Sequence, residues 1–189
     1  VIVLDSIKRE NEGDFICAGA KVTPEMINFM VTHARGAFIA AFCERGRCEE
    51  LGIPSQRTSG ENTEANKTRM MVSVDAAAGG SGSSTGDRSL TMNILAKPGA
   101  VSDELRKPGH VIPIEAVSGG ILERQGHTEA GVELVKLAGI KPAVAVDLEI
   151  LDQDGNMASR EYLFQMAMDF GLKIINIDQI IAFVKEKTG

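Results

Sequence analysis

Apolar and polar positions along this chain switch between a two-residue and a three-to-four-residue period, which is the mark of strands and helices in alternation. "VIVLD" at 1–5 reads as a strand that runs into a charged turn. "TPEMINFMVTHARG" reads as a helix with Thr23 as N-cap, Pro24 at the first helical position and Gly36 as the stop. "AFIAAF" at 37–42 is a short buried strand, and "RMMVSVD" at 69–75 another. The glycine- and serine-rich "AAAGGSGSST" at 76–85 reads as a loose loop with its backbone N–H groups uncovered. Helical spacing resumes in "TGDRSLTMNILAK" until Pro98 ends it, and "HVIPIEA" returns to strand. "HTEAGVELVKLAG" reads as a helix whose apolar face is Val132, Leu134, Leu137 and Ala138, closed by Gly139. "AVAVDLEIL" is a long apolar strand that ends in the turn "DQDGN". The last unit, 159–187, runs helix, glycine stop, strand and amphipathic helix. No internal repeat, low-complexity tail or linker interrupts the series, so the pattern predicts one mixed α/β domain over 1–189.

Composition narrows the partners. With 189 residues and 43% hydrophobic content the chain can bury a sizeable core. A net charge of -6 argues against a nucleic-acid or polyanion surface, though a local basic pocket for a small phosphate would not show in that sum. Cys17, Cys43 and Cys48 are odd in number and show no CxxC spacing, so they read as ordinary thiols in a reducing compartment. No apolar run is long enough to cross a bilayer, and no signal peptide is visible. The expected location is cytoplasmic, or a plastid if a targeting segment was removed. The opening in mid-strand reads as a domain met without its N-terminal segment.

Three segments hold chemistry that packing does not require. "RENEGD" at 9–14 packs an arginine, three acids and an amide into six residues. In "RKPGHV" at 106–111, Pro108 and Gly109 read as a rigid turn that presents His110 at the start of a strand. In "RQGHTEA" at 124–130, His127, Thr128 and Glu129 stand at a helix start beside Arg124. Unpaired N–H donors and a partial positive charge at that helix end, with the arginine, make a seat for a phosphate. Each segment also has a bland reading: a charge run is usually a solvated face, and a histidine at a helix start is often a cap. Against it stands the placement of the three histidines, His33, His110 and His127, two of which lie in glycine turns beside arginine. A glutamate of the first segment with His127 would suit Mg²⁺ or Mn²⁺, with water and substrate oxygens completing the shell.

In this order and spacing, "RENEGD", "VSVD", "DRSLT", "RKPGHVIPI", "GGILERQGHTEAGVELVKLAG" and "DGNMA" resemble the 3,4-dihydroxy-2-butanone 4-phosphate synthase family of riboflavin biosynthesis, along essentially the whole chain. The resemblance implies an α+β domain that works as a homodimer, with active sites near the subunit interface. It implies a lyase that converts D-ribulose 5-phosphate to 3,4-dihydroxy-2-butanone 4-phosphate and formate with Mg²⁺. Carried over position by position, the metal ligands fall on Glu10 and His127. The substrate-binding residues fall on Arg9, Glu10, Asp14, Arg124, Gly126, His127 and Thr128. The catalytic positions fall on His110 and Glu149, with Glu12 as a further acid/base candidate on the same turn as Glu10.

This chain also departs from the family pattern. Ser6, Ile7 and Lys8 replace acids ahead of the arginine. Ala34 and Arg35 stand where hydroxyl residues are usual, so that a charge replaces their contacts. "GGSG" at 79–82 replaces a threonine run, leaving backbone N–H groups and Ser81 to compensate in the phosphate seat. The alternatives are an altered phosphosugar-binding paralogue without turnover, and a divalent-metal hydrolase built on the same carboxylate and imidazole.

Overall fold

A computed structural model describes residues 1–6, 12–36 and 38–188; Ile7 to Asn11, with Arg9 and Glu10 among them, lie outside the described residues. Seven strands join in one mixed sheet of order β4-β5-β3-β6-β2-β1-β7. They are β1 (Ile2–Leu4), β2 (Gly13–Ala18), β3 (Ala40–Cys43), β4 (Val74–Ala76), β5 (Leu105–Glu115), β6 (Val144–Glu149) and β7 (Ile174–Asn176). The helices are α1 (Pro24–Ala34), α2 (Arg47–Glu50), α3 (Thr85–Leu95), α4 (His127–Leu137), α5 (Arg160–Asp169) and α6 (Ile177–Thr188). The β3–β5 and β1–β7 pairs are parallel and the others antiparallel.

The two-residue period sorts the strands between two cores. Ile2, Leu4, Phe15, Val144, Val146 and Leu148 face one side, where they meet α1, α3 and α5. Val3, Ile16, Ala40, Phe42 and Ala145 face the other and meet α4 and α6. Burial on both faces explains why "AVAVDLEIL" is apolar at nearly every position. Its two polar residues, Asp147 and Glu149, share the α4 face, and Asp147 is only 5% exposed.

Several expectations change. β2, "GDFICA", was not anticipated, because glycine and aspartate at its start read as turn chemistry; in the fold it pairs with β1 and β6. "RMMVSVD" is strand only from Val74, with Met70 and Met71 as isolated bridges. Thr23 caps α1 as expected, accepting from the Met26 N–H, but the left-handed residue that ends the helix is Arg35 (φ 60). Gly36 serves another purpose: a Cβ there would lie 2.3 Å from the Glu149 carbonyl oxygen. "RKPGH" is not a turn ahead of a strand but the interior of β5. The buried face of α4 is Thr128, Gly131, Val132 and Val135, while Leu137 is 37% exposed. Among the described residues no helix is long and apolar enough to cross a membrane.

Candidate active site

The site gathers on the α4 face, where the start of α4 meets the adjoining ends of β2 and β6. Antiparallel register sets Asp14 directly opposite Glu149, and the period of two puts Asp147 on the same face as Glu149. Three carboxyl groups thereby share one patch of sheet. α4 reaches them because Gly131 lets it lie close: a Cβ there would meet Phe42 Cδ2 at 2.9 Å and the Ala145 Cβ at 3.2 Å. One turn earlier on the same helix stands His127. These side chains, with Glu12, Phe38, Glu64, Asn66, Thr68, Arg124, Gly126 and Thr128, line a cavity of about 240 Å³. A wider, more open depression of about 920 Å³ along 55–70 shares Glu64, Thr68 and Met70 with it, but holds none of the buried acids.

The imidazole of His127 is 8% exposed and is oriented from both sides. Nε2 lies 3.2 Å from the Val3 carbonyl oxygen, which can only accept, so the ring proton belongs on Nε2. Nδ1 faces Asp14 Oδ2 at 3.3 Å. Held from Nε2 by a carbonyl, His127 can offer Nδ1 to a hard divalent metal beside Asp14. Among the described residues no three His, Cys, Asp or Glu side chains converge tightly enough to hold a metal by themselves. The other expected ligand, Glu10, lies outside the described residues.

Asp147 contributes a different chemistry. Burial, then the neighbouring Asp14 charge and a hydrogen bond with it, then Glu149, raise its pKa well above the usual 3.8. Its Oδ1 is buried without a hydrogen-bond partner among the described residues. Asp147 therefore keeps its proton to higher pH than a free carboxyl, with Asp14 as the close acid beside it. Sequence reasoning missed Asp147, although its two-residue spacing from Glu149 was the signal.

On the far side of the cavity, Arg124 is clamped. Its Nη1 donates to Glu129 Oε2 at 2.7 Å, Nη2 to Thr68 Oγ1 at 3.2 Å and Nε to the Asn66 carbonyl at 3.3 Å. Glu129 is 1% exposed and also accepts from the Val117 N–H, so it builds the wall and does not face substrate. Gly126 is the N-cap of α4 with no side-chain cap bond, which leaves first-turn N–H donors beside Thr128. Asn66 and Thr68 were also missed; no sequence pattern marks them.

Not every expected contributor arrives. Arg35 donates to the Gln153 carbonyl and does not line the cavity. The N–H groups of Gly80 and Gly82 are not uncovered: they donate to Asp87 at 2.7 and 3.2 Å, so "GGSG" is held as a turn rather than a phosphate seat. His110 does not line the cavity either; its side chain is 47% exposed and bonded to Asp75.

Fold and cavity define a mixed α/β domain equipped with acids, an imidazole and a helix N-terminus to hold a small anionic molecule rich in oxygen. The chain belongs to the 3,4-dihydroxy-2-butanone 4-phosphate synthase family, whose model matches residues 1–183. It is 45% identical over 185 residues to riboflavin biosynthesis protein RibBA of Cytophaga hutchinsonii, and 41% identical over 183 residues to that of Bacillus cereus. These alignments cover 97% of this chain but only 45% of each relative, so the chain spans about half their length. A crystal structure of 3,4-dihydroxy-2-butanone 4-phosphate synthase in complex with two magnesium ions superposes with a TM-score of 0.90 at 40% identity, covering 100% of this chain and 91% of that one. RibBX, a two-domain synthase from A. baumannii, gives a TM-score of 0.90 at 38% identity over 97% of this chain and 53% of its own.

Proposed function

We propose that this chain converts D-ribulose 5-phosphate to 3,4-dihydroxy-2-butanone 4-phosphate and formate, with Mg²⁺, or Mn²⁺ in its place, held by His127 and Glu10. The observation that carries the reading is the convergence of His127 on Asp14 (Nδ1 to Oδ2, 3.3 Å), beside Glu149 and next to the N-terminus of α4. The two products together contain all the atoms of the substrate, so no co-reactant is needed. The bound metal would polarise a substrate hydroxyl or carbonyl and acidify the adjoining C–H.

The remaining work falls on the protein. The phosphate sits at the start of α4, held by first-turn N–H groups, the Thr128 hydroxyl and the two Arg124 donors not engaged by described residues. Asp14 and Arg9 hold substrate oxygens. Glu149, placed by register across from Asp14, takes the carbon-bound proton, and Glu12 at the cavity mouth assists in later transfers. Retention of the phosphate keeps one intermediate in place through successive proton movements. His110 supplies the second acid/base group from another copy of the chain, since it stands exposed on β5 away from its own cavity. The working unit is therefore a homodimer.

Formate release tests the reading. With ribulose 5-phosphate and Mg²⁺ the protein should release formate in step with the four-carbon product, and a chelator should stop both. Free phosphate without formate would replace this reading with a hydrolase.

A further inference from the structure

Strands β4 and β5 do not pair evenly. Val74 is opposite Val111 while Asp75 is opposite Arg106, so residues 107–110 bulge out of the ladder. A bulge leaves backbone N–H groups without ladder partners and re-aims the side chain it carries. Here side chains of the facing segment take up those donors. The Gly109 N–H donates to Ser73 Oγ at 3.1 Å and the His110 N–H to Asp75 Oδ1 at 2.8 Å. The other oxygen, Asp75 Oδ2, lies 2.8 Å from His110 Nδ1. One carboxylate thus grips the same residue twice, by its backbone and by its ring.

The grip is itself enclosed. The Asp75 side chain is 7% exposed against 47% for His110. Gly82 (φ +93) packs on it so tightly that a Cβ would lie 2.0 Å from Oδ2. Arg106 closes the covering turn by donating from Nη2 to the carbonyls of Ala76, Gly79 and Gly80. The "GGSG" segment thus serves as a lid over this carboxylate.

We propose that Asp75 is the positioning residue for His110, fixing the imidazole proton on Nδ1 and leaving Nε2 as the exposed, proton-accepting atom. The role in catalysis rests on the reading of His110 as a catalytic group. A carboxylate has no proton to give, so Nδ1 must carry one to complete the bond, and the neutral ring is then a base only through Nε2. The grip also makes an asymmetric demand on an amide. In Asp75→Asn the backbone N–H of His110 still requires an oxygen, which turns the NH₂ towards Nδ1. The ring proton then moves to Nε2, and an isosteric substitution inverts the tautomer.

Asp75→Asn, Ser73→Ala and His110→Ala would be compared by formate release and by ¹⁵N NMR of the histidine rings. Asp75→Asn should lower kcat by about 10²–10⁴-fold with KM changed only a few-fold, the range that acid–base groups supply. Its His110 should change from Nδ1–H to Nε2–H while the melting temperature stays close to wild type. Ser73→Ala, which loosens the same bulge without touching the ring, should keep tautomer and turnover. An unchanged tautomer in Asp75→Asn, or an equal loss of kcat in Ser73→Ala, overturns the proposal. Wild-type turnover in His110→Ala instead refutes the catalytic reading of His110, and Asp75's part in catalysis with it; the NMR result still reports separately on who sets the ring.

Discussion

Gly131→Ala sets two effects of opposite sign against each other. In an exposed helix the substitution would stabilise by about 1 kcal/mol, because alanine loses less backbone freedom on folding. At this position the new Cβ would stand 2.9 Å from Phe42 Cδ2, 3.2 Å from the Ala145 Cβ and 3.5 Å from Ile16 Cδ1. Carbon atoms rest at about 3.5–4.0 Å, so α4 must retreat from the sheet by roughly 0.5–1 Å or the Phe42 ring must turn. Overpacking of this kind costs about 1–3 kcal/mol, giving a net destabilisation of about 0–2 kcal/mol. That is a fall in melting temperature of up to about 8 °C for a chain of this size. His127 lies one turn upstream on the displaced helix, so activity should suffer more than stability. A misplacement of about 1 Å can cost about 10²-fold in rate. Urea denaturation and formate release on the same sample measure both. A variant more stable than wild type by about 1 kcal/mol, with full turnover, would show that propensity wins and that close approach of α4 does not place His127.

Asp147 makes stability depend on pH in a definite direction. In the unfolded chain it ionises near 3.8, while in the folded protein burial and Asp14 hold the proton to higher pH. Its contribution is complete below about 3.8 and is lost as pH rises through the raised native value. Asp147→Asn should therefore gain on wild type as pH increases, in urea titrations of chelator-treated protein; a constant difference across pH would show that Asp147 is ionised in the fold. The cysteines should be inert. Burial pushes Cys17 up to about 12, and Cys43 is raised as well, so a thiol reagent at neutral pH should label neither before unfolding; fast labelling of native Cys17 would contradict its placement against Met30.

Much of this architecture was legible in the sequence because it is local. The Thr23–Pro24 start of α1, the left-handed Gly139 and Gly171 after α4 and α5, and the apolar run of β6 are each written within a few residues. The ordered motifs also brought His127, Thr128, Arg124 and Asp14 together before any geometry was known, and the cavity contains all of them. What sequence could not supply is set by partners far along the chain. β2 is a strand because β1 and β6 flank it, not because "GDFICA" insists on it. The apolar face of α4 was legible in part: Val132 is core and Leu134 packs against it, but Leu137 is exposed, and the close approach to the sheet is made by Gly131, whose missing side chain leaves no hydrophobic signal. "RKPGH" read as a turn from Pro-Gly, but Ser73 and Asp75 give its bulge the bonds that keep it in a strand.

In the proposed function one site draws Glu149 from one copy and His110 from another. Chains carrying Glu149→Gln and His110→Ala, co-expressed with different affinity tags, can be purified as mixed dimers and assayed for formate. Each homodimeric variant should be inactive, while the mixed dimer contains one intact site and should recover about half the wild-type turnover per dimer. A mixed dimer as inactive as its parents would mean that both residues act within a single chain, contradicting the shared site.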